Sequence, residues 1–369
     1  MEYWLEPVIA RAMAVQQVPA PTFAESARAA FVRRLFEHEG LSDVQIDAVG
    51  NVLARWPGSG NARPLIVSAH LDTVFPAGTD LTLQRDALRV HGPGIGDNSL
   101  GVAALFALIW ELKKLSSPLP GDVWLVANTG EEGLGDLCGM RAILERFGDA
   151  VTAYIILEGL ALGQVYHRGL GVRRYRIHAA TAGGHSWVDY GRPSAIHALA
   201  GLVVKLDALP LPRQPRTSLN VGLISGGTSV NTIAAQASLE LDLRSEGRQE
   251  LQELVDQVEA LVNQANRAGE VQMRAEVIGE RPAGGIPADH PLVNLAVMAL
   301  QAQGIPAYLN IGSTDANLPL GLGLPAVTIG LTRGGGAHTL GEFIEVSPLA
   351  QGLKQLFILV KEAFTLTAS

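Results

Sequence analysis

Residues 100–115 read LGVAALFALIWELKKL, a stretch that is apolar on nearly every side of a helix until Lys113 and Lys114. A helix without a polar face is buried inside a fold. Three short runs rich in β-branched residues flank it and are bounded by Gly, Pro or Asp, as buried strands usually are. They are residues 64–70 (PLIVSAH), 122–128 (DVWLVAN) and 152–158 (TAYIILE). Strands alternating with helices predict an α/β fold with a mixed, mostly parallel sheet flanked by helices.

The pattern changes near residue 168, where segments begin to alternate polar and apolar residues. Such alternation is typical of strands with one face in water. These segments are residues 172–180, 218–224, 238–245 and 271–278. Two helical stretches, 194–209 and 247–267, are interleaved with them. Together they predict a smaller α+β domain of four strands and two helices.

Beyond Pro282 the buried α/β character returns, with a predicted strand at 325–330 and a helix at 349–364. The domain order that follows is a catalytic domain interrupted by an inserted one. We expect its first part at 1–167, the inserted domain at 168–281 and its second part at 282–369.

Composition excludes several classes of protein. Of the 369 residues, 47% are hydrophobic and 17% are charged, a composition unlike that of disordered chains. The net charge of −8 disfavours binding to nucleic acid, and a single cysteine, Cys138, is typical of a reducing compartment. The N-terminus carries acids where a signal peptide carries bases, and the longest apolar helical stretch, 100–110, is shorter than the ~18–20 residues that span a bilayer. We therefore expect a cytoplasmic protein that binds neither nucleic acid nor membrane.

Side chains that can bind metals follow the predicted buried strands, where open α/β sheets bind their ligands. They are His70 and Asp72 in HLD, Asp97 in GPGIGDN, Glu131 and Glu132 in TGEEG, Glu158 after YIIL, and His338 in GGGAHT. Two cations about 3.5–4 Å apart need one bridging carboxylate, plus one histidine and one carboxylate each. This set supplies those ligands and leaves one glutamate as a general base.

Each group also has a structural interpretation. Asp72 could be a capping residue beside an incidental His70, and Asp97 could be a helix N-cap. Adjacent glutamates could lie in a solvated turn, although two carboxylates after a buried strand are costly unless a cation neutralises them. The glycines of residues 92–98 match neither a dinucleotide fingerprint nor a P-loop. Asp97 stands where a nucleophile elbow around Ser99 would need glycine.

Eight stretches, taken in order, resemble the dinuclear zinc peptidases and deacylases. They are HLDTV (70–74), GDNSLGVAAL (96–105), NTGEEGLG (128–135), LEG (157–159), GGHSW (183–187), GGTSVNTIAAQASLELDLRS (226–245), GSTDANLPLGLGLPAVTIG (312–330) and GGGAHTLGE (334–342). That family includes carboxypeptidase G, succinyl-diaminopimelate desuccinylase, acetylornithine deacetylase, aminoacylase and peptidase T. The resemblance runs from about residue 50 to the C-terminus.

The resemblance implies two Zn²⁺ per chain, with Co²⁺ or Mn²⁺ as alternatives. One ion would be held by His70, Asp97 and Glu158, and the other by Asp97, Glu132 and His338. Asp72 would orient the imidazole of His70, and Glu131 would act as the general base. The peptide bond between Asp97 and Asn98 would be cis.

The same resemblance makes the inserted domain a lid and implies a homodimer formed through it. His185 would reach across the dimer to polarise the scissile carbonyl. Asn231 and Arg244 would hold the carboxylate or neighbouring backbone of the substrate, and Arg281 is a weaker match to a substrate arginine. Without the resemblance, the sequence indicates that His185 is a turn histidine on the surface and that Arg244 is a solvated side chain. Ser313 stands where the family usually has glycine.

The activity implied is hydrolysis of an amide bond in a short peptide. A hydroxide between the two cations would attack the carbonyl carbon, and Glu131 would accept the proton. An alternative is a deacylase of N-acetyl or N-succinyl amino acids with the same mechanism. A more remote alternative is a catalytically silent relative that binds a metal or a small ligand.

Overall fold

The computed structural model describes residues 2–267, 269 and 271–367. The chain forms two compact units. Unit 1 runs to Gly169 and resumes at Gly285, and unit 2 is Leu170–Gly284. The segment predicted to be inserted, 168–281, overlaps unit 2 over almost its whole length.

A nine-stranded sheet forms the centre of unit 1. Its strands are β1 (Ser42–Ile46), β2 (Val52–Trp56), β3 (Leu65–His70), β6 (Val123–Asn128), β7 (Ala153–Glu158), β8 (Gln164–Gly169), β15 (Gly284–Gly285), β16 (Tyr308–Gly312) and β17 (Ala326–Gly330). The order is β1-β2-β6-β3-β7-β17-β8-β15, with β16 beside β8. The four central strands β6, β3, β7 and β17 are parallel neighbours, whereas β1 and β2 are antiparallel. The predicted mixed, mostly parallel sheet is confirmed.

Helices flank this sheet. They are α1 (Leu5–Gln16), α2 (Ser26–His38), α3 (Gly101–Leu112), α4 (Cys138–Phe147), α7 (Pro291–Gln301), α8 (Asn317–Gly321) and α9 (Leu349–Ala363). A helical turn over Ile95–Leu100 leads into α3. Every side chain of α3 except Trp110 is buried, and burying each large apolar side chain contributes about 1.5–3 kcal/mol. The apolar sequence of α3 therefore reflects its place in the core.

The turn before α3 makes its helical stretch longer than the sequence predicted. In the described part of the chain, Ile95–Leu112 has the length and composition of a membrane-crossing helix, and 89% of it is buried inside the fold. The expectation that no helical stretch reaches this length is wrong.

A second, four-stranded sheet in unit 1 was not predicted. Its strands are β4 (Gln84–Arg85), β5 (Arg89–His91), β18 (Gly334–Gly335) and β19 (Phe343–Glu345), in the order β18-β19-β5-β4. Such short strands carry too few residues for a periodic pattern. Since β19 pairs with β5, the loop before β19 lies beside the turn that follows β5.

Unit 2 is built on an antiparallel sheet in the order β11-β13-β9-β14. Its strands are β9 (Gly171–Ala180), β11 (Thr217–Gly226), β13 (Gln236–Ser245) and β14 (Gln272–Arg281), and a separate ribbon pairs β10 (Gly184–His185) with β12 (Thr232–Ile233). Two helices, α5 (Ala195–Asp207) and α6 (Arg248–Arg267), pack on the sheet and on each other. Alternate residues of β13 are buried, as the sequence pattern predicted. The ribbon was not predicted.

Candidate metal centre

Four of the candidate site residues gather at one edge of the central sheet of unit 1. Because β6, β3 and β7 are parallel, their carboxyl ends meet at that edge. His70 is the last residue of β3 and Glu158 is the last residue of β7. Glu131 and Glu132 lie in the turn after β6.

The remaining two candidate ligands come from loops joined by the small sheet. Asp97 lies in the helical turn after β5, and His338 lies in the loop between β18 and β19. His338 has a φ of +64°, in the left-handed region that histidine seldom occupies. Such conformations persist where the surrounding structure enforces them, often at functional sites.

The carboxylate of Asp97 lies between the two imidazoles. Its Oδ1 is 3.1 Å from His70 Nε2, and its Oδ2 is 3.0 Å from His338 Nε2. Each histidine has a second carboxylate nearby: Glu158 Oε2 is 3.8 Å from His70 Nε2, and Glu132 Oε1 is 3.3 Å from His338 Nε2. Two groups of three donors thus share Asp97. The Asp97–Asn98 peptide bond is cis, which confirms that expectation.

These donors suit two divalent cations. In each of three groups, the candidate ligand atoms all lie within 4.8 Å of one another. The groups are His70 with Asp97 and Glu158, Asp97 with Glu132 and His338, and His70 with Glu131 and Glu132. Imidazole nitrogens and carboxylate oxygens are ligands that Zn²⁺ and similar ions bind in proteins. The ligand roles of the individual residues remain predictions.

The shifted pKa values of these side chains also favour cation binding. Burial and then the charge of Asp97 raise the pKa of Glu132 to about 7, and burial likewise raises the pKa of Glu158. A hydrogen bond to Asp97 raises the pKa of His338 to about 9. Burial opposes the charge on His70, but the carboxylates of Asp72, Asp97 and Glu158 outweigh it and hold its pKa well above the usual value. The carboxylates of the cluster thus outnumber its histidines, and bound cations would neutralise the excess negative charge.

Asp72 connects the end of β3 to the turn that carries the two glutamates. Its carboxylate accepts hydrogen bonds from the backbone N–H of Glu131 at 3.0 Å and of Glu132 at 2.9 Å. His70 Nδ1 is 3.0 Å from the backbone oxygen of Asp72 and 3.6 Å from its Oδ1. The backbone of Asp72 therefore makes the closer contact with the imidazole, and its side chain positions the turn.

Glu131 is buried in this turn, with its carboxylate close to His70 and Glu132. A general base must lie beside the water whose proton it accepts. Glu131 lies beside two candidate metal ligands, and its role as the base remains a prediction.

His185 and Asn231 lie together in unit 2. The ribbon places His185 opposite Thr232, and the backbone N–H of Ser186 donates to the backbone oxygen of Asn231 at 3.0 Å. His185 Nδ1 accepts from the backbone N–H of Trp187 at 3.2 Å and of Val188 at 3.3 Å. A neutral His185 accepting at Nδ1 carries its proton on Nε2.

The two predicted substrate arginines lie elsewhere on unit 2. Arg244 of β13 and Arg281 of β14 are both opposite Val172 of β9. Arg244 is partly exposed and donates to Asp242 at 2.6 Å, whereas Arg281 is buried. In unit 1, Ser313 directly follows β16.

Two polar residues of the site were missed by the sequence analysis. Asn98 donates to the backbone oxygen of Leu157 at 2.7 Å and so ties the Asp97 turn to β7. Asp315 is fully buried and accepts from Asn128 Nδ2 at 2.7 Å, and burial raises its pKa to about 7. Both lie in the quoted motifs GDNSLGVAAL and GSTDA, which was the available signal.

Comparison with known proteins gives one family. The model of peptidase family M20/M25/M40 matches residues 66–362. The Bacillus subtilis protein YqjE is 22% identical over 362 residues, covering 94% of this chain and 95% of YqjE. Fungal proteins described as M20 domain-containing or probable carboxypeptidases also match, and the chain spans about half their length.

Solved structures share the fold. A tripeptidase from Staphylococcus aureus superposes with a TM-score of 0.83 at 20% identity, covering 98% of this chain and 99% of that one. The aminopeptidase PepT of Bacillus cereus gives a TM-score of 0.79 at 23% identity, covering 97% and 98%.

Proposed function

We propose that this chain, which belongs to peptidase family M20/M25/M40, hydrolyses amide bonds of short peptides with two divalent cations. Membership of the family makes it a hydrolase of amide bonds. The observation that carries the two-metal proposal is Asp97, whose two oxygens each face a different histidine at 3.0–3.1 Å. His70 and Glu158 would complete one site around it, and Glu132 and His338 the other. We propose Zn²⁺ as the native ion, with Co²⁺ or Mn²⁺ as functional substitutes.

The chemistry needs a nucleophile and a proton carrier. When bound, two such cations would lower the pKa of a water towards about 7 and polarise the scissile carbonyl. Glu131 accepts the proton from the attacking water and later gives it to the leaving amine nitrogen. The C–N bond then breaks, the water oxygen remains on the new carboxylate, and Glu131 is ready again. Asp72 keeps Glu131 in place by binding its backbone N–H.

His185 is proposed to stabilise the carbonyl oxygen as negative charge develops on it. With Nδ1 occupied by two backbone N–H groups, the neutral imidazole presents Nε2–H as a donor. Asn231 lies beside it and, with Arg244, is proposed to hold the substrate's carboxylate or nearby backbone. Arg281 is a further candidate for that role.

A homodimer formed through unit 2 is part of this proposal. The outer surfaces of α5 and β11 expose large apolar side chains, namely Ile196, Val204, Leu223 and Ile224. Exposed apolar clusters of this kind are typical of protein interfaces. We further propose a cytoplasmic enzyme, because its one cysteine fits a reducing compartment.

Short peptides are the proposed substrates because the two solved neighbours described above are a tripeptidase and an aminopeptidase. The test is elemental analysis of the purified protein together with a substrate panel. The panel holds di- and tripeptides with free amino termini, and N-acetyl and N-succinyl amino acids.

About two metals per chain with cleavage of the peptides would support the proposal. Cleavage confined to the acylated amino acids would replace the peptidase by a deacylase. An absence of metal and of turnover, even after zinc, cobalt or manganese is added, would refute the proposed catalysis.

A further inference from the structure

We infer that Glu342 is a positioning residue that fixes the carboxylate of Asp97 between the two histidines. The inference rests on the proposed function, because it concerns how that metal site is built. Glu342 is fully buried. Its carboxylate binds backbone N–H groups of the turn that carries Asp97.

Three hydrogen bonds from the turn before α3 define the arrangement. Glu342 Oε1 accepts hydrogen bonds from the backbone N–H of Gly96 at 2.7 Å and of Asp97 at 2.8 Å. Glu342 Oε2 accepts from the backbone N–H of Gly94 at 2.8 Å. Hydrogen bonds from N–H groups to a carboxylate are shorter and stronger than neutral ones. One side chain therefore holds the whole turn that leads into Asp97.

The two glycines make this convergence of N–H groups feasible. Gly94 has a φ of +73°, a conformation that L side chains seldom adopt. A Cβ on Gly96 would lie 2.8 Å from the side chain of Leu160. Successive backbone N–H groups in such a turn form a concave anion-binding surface, and here the anion is a side chain of the same protein.

The small sheet holds Glu342 in register with that turn. Phe343 pairs with His91, and the backbone N–H of Gly92 donates to the backbone oxygen of Glu342 at 2.9 Å. The loop that carries His338 ends at Glu342, between β18 and β19. Glu342 thus connects the backbone of the loop bearing one candidate ligand, His338, to the backbone of the turn bearing the bridging candidate, Asp97.

A consequence follows for metal binding. Asp97 would contribute one oxygen to each cation, so a small rotation of its backbone would weaken both sites together. Side chains that orient metal ligands typically change metal affinity by ~10- to 100-fold when they are removed. We expect a change of that size in variants of Glu342.

Two variants would remove different numbers of the hydrogen bonds that Glu342 accepts. Glu342→Gln keeps one oxygen, which can still accept from Gly96 and Asp97, but places an NH₂ against the N–H of Gly94. Glu342→Met has a similar length and removes both acceptor oxygens, and with them all three hydrogen bonds. The matched control is Glu345→Gln, because Glu345 lies three residues later on β19 and is partly exposed, with Arg89 Nη2 3.7 Å away.

Amide hydrogen exchange of the metal-free protein is measured first. The N–H groups of Gly94, Gly96 and Asp97 should be protected in the wild type. Glu342→Gln should lose protection chiefly at Gly94, and Glu342→Met should lose it at all three. The Glu345→Gln control should leave them protected. Fast exchange of these amides in the wild type would overturn the inference. This measurement on the wild type decides the contact even if both Glu342 variants fail to fold.

The second measurement titrates Co²⁺ into the metal-free proteins and records the visible absorption spectrum. Glu342→Gln should bind Co²⁺ ~10-fold or more weakly and show an altered spectrum, with kcat falling more than KM rises. Wild-type affinity and an unchanged spectrum in Glu342→Gln would overturn the positioning role. If the wild type itself binds no Co²⁺, the proposed function fails, and the role of Glu342 towards a metal falls with it. The exchange data would then show whether the contact with the turn exists.

Discussion

Replacing Asp72 by asparagine should destabilise unit 1 even without any metal. The carboxylate is completely buried. It accepts hydrogen bonds from the backbone N–H groups of Glu131 and Glu132 and from Thr22 Oγ1 at 3.0 Å. Asparagine is nearly the same size but has one oxygen instead of two. One of the two backbone N–H groups would therefore face an NH₂ group, and one donor would stay unsatisfied.

The magnitude follows from that single lost acceptor. A buried donor left without a partner costs about 1–3 kcal/mol, and a hydrogen bond to a charged group contributes about 1.5–3 kcal/mol. These two figures describe overlapping losses, so we expect Asp72→Asn to lower the free energy of unfolding by about 2–4 kcal/mol. That is a large part of the 5–15 kcal/mol by which proteins are usually stable.

Asp86 provides a matched control. It also accepts two backbone hydrogen bonds, from the N–H groups of Leu88 at 2.7 Å and Arg89 at 2.9 Å. Asp86 is exposed, and both N–H groups donate to its Oδ1, so the single oxygen of asparagine can keep both bonds. The control should therefore lose much less stability than Asp72→Asn.

The assay is urea unfolding of the metal-free protein, followed by tryptophan fluorescence. Four of the five tryptophans, Trp4, Trp56, Trp110 and Trp124, lie in unit 1. Making both variants in a Trp187→Phe background restricts the signal to that unit. Equal losses in Asp72→Asn and Asp86→Asn would refute the reasoning, because the loss of one buried acceptor oxygen would then make no difference.

Further predictions concern catalysis, metal, pH and assembly. Glu131→Gln should retain both metals by elemental analysis and lose nearly all turnover, and a rate near that of the wild type with metal intact would reject Glu131 as the base. Chelation should abolish activity, and added Zn²⁺ or Co²⁺ should restore it with little change in circular dichroism. Burial raises the pKa of Asp315 to about 7, above the ordinary value near 3.9, so the folded protein binds this proton more tightly and loses stability as the pH rises from about 4 to 7. Asp315→Asn should therefore gain stability relative to the wild type over that range in urea unfolding, and a pH-independent difference would contradict this. Val204→Asp should convert the proposed dimer to a monomer in light scattering, and a wild type that is already monomeric would contradict the dimer.

The main elements of the fold could be predicted because their sequences carry the signal of burial. The central strands β3, β6 and β7 are apolar throughout since both faces of the sheet are covered. The strands of unit 2 alternate because one face of their sheet is exposed. By contrast, the ribbon of β10 and β12 has two residues in each strand, which is too short for either pattern to appear.

The candidate ligands could be predicted for a different reason. Histidines and paired carboxylates after apolar strands are unusual enough to indicate a metal site. The residues that hold the ligands in place left a weaker signal, because most of them bind backbone N–H or C=O groups and any residue supplies those. Glu342 is one example, since its three partners are the backbones of Gly94, Gly96 and Asp97.

Arg28 is a second example, and here a signal existed. It is fully buried on α2 and donates to the backbone oxygen of Leu71, between His70 and Asp72, at 2.7 Å. Arg28 precedes Val32 and Phe36 by four and eight residues, and both of these are buried. Residues four apart share a face of a helix, so the helical period places Arg28 on the buried face.

Asp72 and Glu132 differ in what would stabilise their negative charge: the protein alone for Asp72, and a bound metal for Glu132. Both carboxylates are buried, and the backbone N–H of Glu132 donates a hydrogen bond to the carboxylate of Asp72. Burial raises the pKa of Asp72, but His70 and the two backbone N–H groups outweigh it, so that pKa lies below the usual value. For Glu132, burial and then the charge of Asp97 raise the pKa to about 7. Because folding itself supplies the partners of Asp72, removing the metals should leave the turn in place. Without the cations, His338 does not fully balance the negative charge of Glu132, whereas Asp97 still has the two histidines.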